Sequence, residues 1–193
     1  MARIRLVVGL GNPGLQYSKT RHNAGFWFVE ELAQLCRSSL RQEGKFHGLF
    51  GKAEYVGTPL LLLQPMEFMN RSGTSVASTC RFWKLTPEEV LVVHDELDFE
   101  PGIAKLKQGG GHGGHNGLRH IIEQLGSNAF FRLRIGIGHP GDRNRVADYV
   151  LSAPPPSEDQ AIKDSIARAL ASDVLPLVLD GNLGQATQKL QAA

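Results

Sequence analysis

The groups best suited to acid–base chemistry are histidines and carboxylates that the chain can bring together. His22 follows a glycine-rich turn, and His94 and Asp95 stand side by side at the end of an apolar run. A histidine titrates near neutral pH and can take a proton from water when a carboxylate fixes its tautomer, so His22 with Asp95 would make a general base. Asn12, Asn70 and Asn116 would supply neutral donors and acceptors suited to a peptide backbone and a developing oxyanion. Taken singly, each asparagine reads first as a cap or turn residue.

Two glycine-rich strings compete for attention. Gly109 to Gly117 reads GGGHGGHNG, six glycines in nine residues. Glycine at that density costs folding entropy, so close approach to a ligand, or a mobile gate, explains it better than packing does. His112 and His115, with His94 and Asp95, could hold a metal for a metallohydrolase. Their spacing matches no named zinc signature, so neither a metal nor any other cofactor is expected. Gly9 to Gly14 satisfies the G-x-G-x-x-G pattern. Pro13 and the polar run from Gln16 to Arg21 nevertheless delay the next helix to about His22, and no acidic residue ends a second strand, so the string reads as a tight turn rather than a dinucleotide site. No G-x-S-x-G elbow exists, and Cys36 and Cys80 read as core residues.

The elements that must position these groups alternate between strand and helix. Buried strands are expected at Ile4 to Leu10, Pro59 to Gln64 and Val90 to His94. More exposed, alternating strands are expected at Lys45 to Val56, Ile103 to Lys107 and Arg132 to Gly138. Helices are expected from Asn23 to Cys36, from an N-cap at Asn70 through Trp83, from near His115, and, after Pro154-Pro155-Pro156, over Ser157 to Leu179 and Leu183 to Leu190. The fold class is α/β. In open α/β sheets the site lies beyond the carboxyl ends of the strands, and three buried strands end there in Asn12, in Met69-Asn70 and in His94-Asp95.

The chain has 193 residues and a formal charge of +2. That length suits one domain, 1–193, with a C-terminal helical part from about residue 154. The two cysteines suit a reducing compartment, the N-terminus lacks a signal-peptide pattern, and no stretch is long and apolar enough to span a membrane; a cytoplasmic protein without membrane contact is expected. The charge is unevenly spread. Residues 101–145 carry Lys105, Lys107, Arg119, Arg132, Arg134, Arg143 and Arg145 against Glu123 and Asp142. Two-residue spacing puts Arg132 with Arg134, and Lys105 with Lys107, on single strand faces, a small cationic patch fit for nucleic-acid phosphates.

Together these strings closely resemble the bacterial type of peptidyl-tRNA hydrolase. The resemblance rests on VGLGNPG at 8–14, Tyr17, TRHNAG at 20–25, FMNRSG at 68–73, HDELD at 94–98, GGGHGGHNGL at 109–118 and RLRIGIGHPG at 132–141. It spans residues 4 to about 151. It implies a single α/β domain with a twisted mixed, mostly parallel sheet flanked by helices, of phosphorylase/hydrolase-like type. It further implies metal-free hydrolysis of the ester between a peptide and the 3′ end of a tRNA, recycling tRNA from stalled or aborted translation, with the acceptor stem and 3′ end as partner and a monomer as the working form. By the same matching His22 is the catalytic base, Asp95 orients it, and Asn12, Asn70 and Asn116 hold the peptide and the hydrolytic water. Tyr17, Phe68 and Met69 then line the cleft for the 3′ end, with His115 among the substrate-binding residues. Lys107 and Arg134, with Lys105 beside them, clamp the 5′ phosphate. Pro65-Met66-Glu67 departs from the polar residues expected before FMN. A non-catalytic RNA-binding protein on the same fold is the remaining rival, and the intact His22, Asp95 and Asn116 argue against it.

Overall fold

A computed structural model describes residues 4–191. Seven strands form one sheet: β1 (Leu6–Gly9), β2 (Arg41–Glu43), β3 (Gly48–Tyr55), β4 (Thr58–Pro65), β5 (Val90–Glu96), β6 (Ala104–Gln108) and β7 (Phe131–Gly136), in the order β2-β3-β4-β1-β5-β7-β6. The central four, β4-β1-β5-β7, run parallel. Antiparallel pairing adds β3 and β2 beyond β4 at one edge and β6 beyond β7 at the other. β1 and β5 are sequences of Leu and Val that bury both faces, as an interior parallel strand requires.

Helices cover both sides. Against one face lie α1 (Ala24–Leu35), α4 (Val146–Val150), α5 (Pro156–Ala169), α6 (Leu175–Leu179) and α7 (Leu183–Gln191), packed on Val7, Leu91, Val93, Leu133 and Ile135. Against the other lie α2 (Ser72–Trp83) and α3 (Asn116–Leu125), packed on Leu6, Val8, Val90 and Val92. Alternate residues of the same strands therefore build two separate cores. Among the described residues no helix is long and apolar enough to cross a membrane.

Most expected elements stand where periodicity puts them, and the departures have local causes. Asn70 is not the N-cap of α2. It sits inside a 3-10 turn, Met69–Arg71, and α2 starts at Ser72, whose hydroxyl donates back to the Met69 carbonyl at 2.8 Å. The long helix expected over 157–179 is two helices, with α5 ending at Ala169 and α6 starting at Leu175. Pro176 lacks an N–H and clashes with the preceding turn, so it is tolerated in the first turn of a new helix but not inside a continuous one. β2 escapes the pattern because its three residues, Arg41, Gln42 and Glu43, are all polar and lie at the sheet edge. The patch expected from Lys105, Lys107, Arg132 and Arg134 is also revised. Cross-strand pairing does set Lys105 opposite Arg134 and Lys107 opposite Arg132, yet Arg132 is only 2% exposed.

Candidate active site

The candidate site lies beyond the carboxyl ends of β1, β4 and β5. The chain leaves β1 through the Asn12 turn and re-enters as a 3-10 turn, Arg21–Asn23, before α1. Asn12 and Asn23 clasp this loop. The Asn12 amide donates to Asn23 Oδ1 at 2.8 Å, and Asn23 Nδ2 donates to the Asn12 carbonyl at 3.0 Å. α1 begins hard against the sheet, since a Cβ on Gly25 would lie 2.3 Å from the Val93 carbonyl and 2.4 Å from the Leu10 amide. Only glycine permits that approach, and it brings His22, three residues earlier, to the end of β5.

His22 and Asp95 meet. Nδ1 of His22 lies 2.7 Å from Asp95 Oδ2, with the carboxylate buried and the imidazole side chain 12% exposed. The other carboxylate oxygen, Oδ1, receives Nε2 of His115 at 2.9 Å. His115 is also the N-cap of α3, its Nδ1 accepting the Leu118 amide. That fixes Nε2 as its protonated nitrogen, so Asp95 accepts one N–H from each histidine. Burial opposes charge on Asp95, but the two imidazoles outweigh it and hold the carboxyl well below its usual range. Burial likewise opposes charge on His22, and the Asp95 charge and hydrogen bond overcome it, leaving the imidazole pKa raised. His94 stacks edge-on against His115, its Nδ1 donating to the Asp95 carbonyl at 2.8 Å. Burial, then the neighbouring His115, push its pKa down to about 3.

The asparagines differ in how far they are committed. Asn12 is buried and its Oδ1 accepts the Met69 amide at 2.7 Å, so its Nδ2 remains as the available donor. Asn116 is exposed at the head of α3, its Oδ1 taken by Arg119, which likewise leaves Nδ2 free to donate. Asn70 is exposed and makes no side-chain hydrogen bond among the described residues. Tyr17 and Phe68 meet edge-to-face at 6.2 Å, and Phe68 is 56% exposed, so the two present an aromatic wall. Met69 is different: its side chain is sunk in the core under α3, and what it brings to the site is its backbone amide.

On the sheet face beside the site, Lys105, Lys107 and Arg134 are partly exposed. Lys105 Nζ and the Arg134 guanidinium both stand over the Phe99 ring, at 4.6 and 4.8 Å. Arg132 turns inward beneath the glycine-rich loop, where its guanidinium donates to the carbonyls of Gly110 and Gly111.

Several contributors escaped the sequence reading. Asn23 and the second donor on Asp95 are structural partners, and no spacing rule announces a carboxylate shared by two distant histidines. Arg21 is a third. It is buried over the Tyr149 ring at 3.8 Å and bonded to Ser152 Oγ at 2.5 Å, tying the His22 turn to the segment after α4. Of the residues weighed as possible metal ligands, His94, Asp95 and His115 lie together and His112 stays apart. His112 Nδ1 accepts the Gly114 amide inside its own loop, and the group that does converge among the described residues is His22, Asp95 and His115, with ligand atoms within 4.8 Å of one another. Separations of 2.7 and 2.9 Å are those of imidazole N–H donors on a carboxylate.

Residues 6–193 match the family model described as peptidyl-tRNA hydrolase. A peptidyl-tRNA hydrolase of Methylococcus capsulatus is 55% identical over 187 residues, covering 97% of this chain and 98% of that protein. One of Acinetobacter baylyi is 50% identical over 192 residues, covering 100% and 98%. The crystal structure of peptidyl-tRNA hydrolase from Acinetobacter baumannii superposes with a TM-score of 0.94 at 48% identity, covering 100% of this chain and 96% of that one. With identity sustained over essentially the full length of each relative, and with one sheet and one helix arrangement in common, the chain belongs to the peptidyl-tRNA hydrolase family.

Proposed function

We infer that this protein hydrolyses the ester between a peptide, or another N-blocked aminoacyl group, and the 3′ end of a tRNA. The observation that carries this reading is the His22–Asp95 contact of 2.7 Å, which protonates Nδ1 and leaves Nε2 without a protein partner among the described residues. Nε2 takes a proton from water as the oxygen attacks the ester carbonyl carbon. The carbonyl oxygen becomes an oxyanion that accepts from amide donors, for which Nδ2 of Asn12 and Nδ2 of Asn116 are suited. Collapse breaks the bond to the 3′ oxygen, the imidazolium returns the proton to it, and the products are a peptide acid and a tRNA with a free 3′ hydroxyl.

The remaining roles follow the same reading. Tyr17, Phe68 and Asn70 line the cleft for the 3′ end and the peptide, while Lys105, Lys107 and Arg134 contact the 5′ phosphate of the acceptor stem. His115 acts through Asp95, and Met69 acts through its amide on Asn12. The chain works as one cytoplasmic, monomeric domain that recycles tRNA from interrupted translation. The test is incubation with an N-blocked aminoacyl-tRNA beside the unblocked one. Release of free tRNA from the blocked form alone is expected, and no release, or equal release from both, overturns the reading. A second, metal-dependent reading would require the His22 and His115 nitrogens on Asp95 to give up their protons to an ion. Activity is expected to withstand chelators; loss on chelation with recovery on added zinc would decide for the metal.

A further inference from the structure

Arg132 is a fully buried cation, 2% exposed, that the reaction scheme does not use. No carboxylate comes within salt-bridge distance of it among the described residues. Burial and, after it, the like charge of Arg134 disfavour its charged form and outweigh the opposing pull of Glu96. A guanidinium held this way is costly unless its donors do something a neutral side chain cannot. Its partners are the Phe130 ring, 4.6 Å from the guanidinium carbon, and two carbonyls of the glycine-rich loop, with Nη2 2.6 Å from the Gly110 oxygen and Nη1 on the Gly111 oxygen. Nε has no partner among the described residues.

The loop has few other supports. Its start is pinned where the Gly109 amide donates to the Phe130 carbonyl at 3.1 Å and Asn128 Nδ2 donates to the Gly110 carbonyl at 3.1 Å. Beyond Gly111 the hydrogen bonds among the described residues close the loop on itself, with the Gly114 amide on His112 Nδ1 and the His115 amide on the His112 carbonyl, both at 2.9 Å. Cβ atoms built on Gly111, Gly113 or Gly114 would meet nothing within 4 Å among the described residues. The next contact with the body of the protein is His115 Nε2 on Asp95. A rigid, forked donor that spans two consecutive carbonyls fits this place better than a flexible ammonium.

We propose that Arg132 is a positioning residue for hydrolysis: it fixes the root of the glycine-rich loop so that His115 keeps its hydrogen bond on Asp95. The inference rests on the hydrolytic reading of the His22–Asp95 site. It separates Arg132 from its strand neighbour Arg134, which is partly exposed and stands over the Phe99 ring.

The test measures Arg132→Lys and Arg132→Met on full N-blocked aminoacyl-tRNA and on a minimal peptidyl-adenosine ester, with thermal melting alongside. Turnover should fall about tenfold or more, since small misplacements in a catalytic constellation are expensive. KM should change little, and the loss should be alike on both substrates. Because the effect runs through His115, adding Arg132→Lys to His115→Ala should cost no more than about twofold further, a departure from additivity expected of coupled residues. Fully additive losses, or a loss confined to KM on full tRNA, would overturn the proposal, the latter by placing Arg132 among the phosphate contacts. Should Arg132→Met fail to fold, Arg132→Lys and the exposed Asn128→Ala carry the test, the second with a smaller loss again on both substrates. An inactive wild-type protein would retire the hydrolytic reading instead. Amide hydrogen exchange over residues 109–117 then still tests the loop, with faster exchange in Arg132→Lys expected and unchanged exchange ruling out the anchor.

Discussion

Three histidines crowd Asp95, and the hydrogen bonds of each determine which one can accept a proton. His115 has both nitrogens engaged, one on Asp95 and one on the Leu118 amide, and His94 is buried with Nε2 facing no partner among the described residues. His22 alone combines an oriented Nδ1–H with a partly exposed ring. His22→Ala should therefore lower turnover by at least the roughly hundredfold typical of a lost general base, while tRNA binding, read by filter retention, survives. Asp95→Asn should be comparably harmful, because an amide offers one acceptor oxygen where two N–H groups converge, and its NH2 would face a histidine donor. A mild Asp95→Asn phenotype would mean that the shared carboxylate is not needed for the tautomer. The pH dependence has a definite sign. Only neutral His22 is a base, and its pKa is raised, so activity should climb with pH on a limb whose midpoint lies above the ordinary imidazole value. In any residual activity of Asp95→Asn the limb should move to lower pH, since burial then acts on His22 without the opposing carboxylate. A limb that stays put would detach it from His22.

At the scale of elements, the site depends on where α1 and α3 begin, and the two starts are held differently. At α1 the contact is steric: Gly25→Ala would drive a methyl into the Val93 carbonyl and the Leu10 amide. The cost should reach the upper end of overpacking, about 3 kcal/mol or more, read as a large drop in denaturant midpoint. Ahead of α3, Gly114 has a φ of 84° and open space around its Cβ position. Gly114→Ala should thus cost only the left-handed backbone penalty, about 1–2 kcal/mol. Equal destabilisation by the two would contradict this division. The contrast also marks what was legible beforehand. Strands such as Val90–Glu96 and the helix Ala24–Leu35 follow from apolar periodicity, because their burial is dictated by local pattern. The pairing of His22 with Asp95 follows from strand ends meeting at one sheet edge. What stayed hidden was set by tertiary contact: the Asn12–Asn23 clasp, the sharing of Asp95 by His115, and the inward turn of Arg132, which alternation alone would have left facing out with Arg134. Pro176 is a local signal that does show in the sequence, and it divides the amphipathic stretch after Ser157 into α5 and α6.

Across the whole molecule, charge rather than shape distinguishes one end of the sheet. The net charge is only +2, yet β6 and β7 set Lys105 beside Arg134, itself paired with His94 of β5, and put Lys107 on the same face. With Arg132 withdrawn, the patch is three cations wide, and two of them are braced on Phe99. Phosphate contacts position a nucleic acid without reading its sequence, and each adds to the salt dependence of binding through counterion release. Lys107→Ala and Arg134→Ala are each expected to weaken full tRNA substrates chiefly in KM, with the salt slope shallower by about one unit per lost contact. A minimal peptidyl-adenosine ester has no acceptor stem and should be spared by both. His22→Ala must, by contrast, damage both substrates alike, because the proton transfer it removes is common to them. The informative measurement is the double variant Lys107→Ala/Arg134→Ala on the two substrates across a salt series. If it loses as much on the minimal ester as on the full tRNA, the three cations serve the fold or the cleft, and the phosphate contact has to be sought elsewhere on the surface.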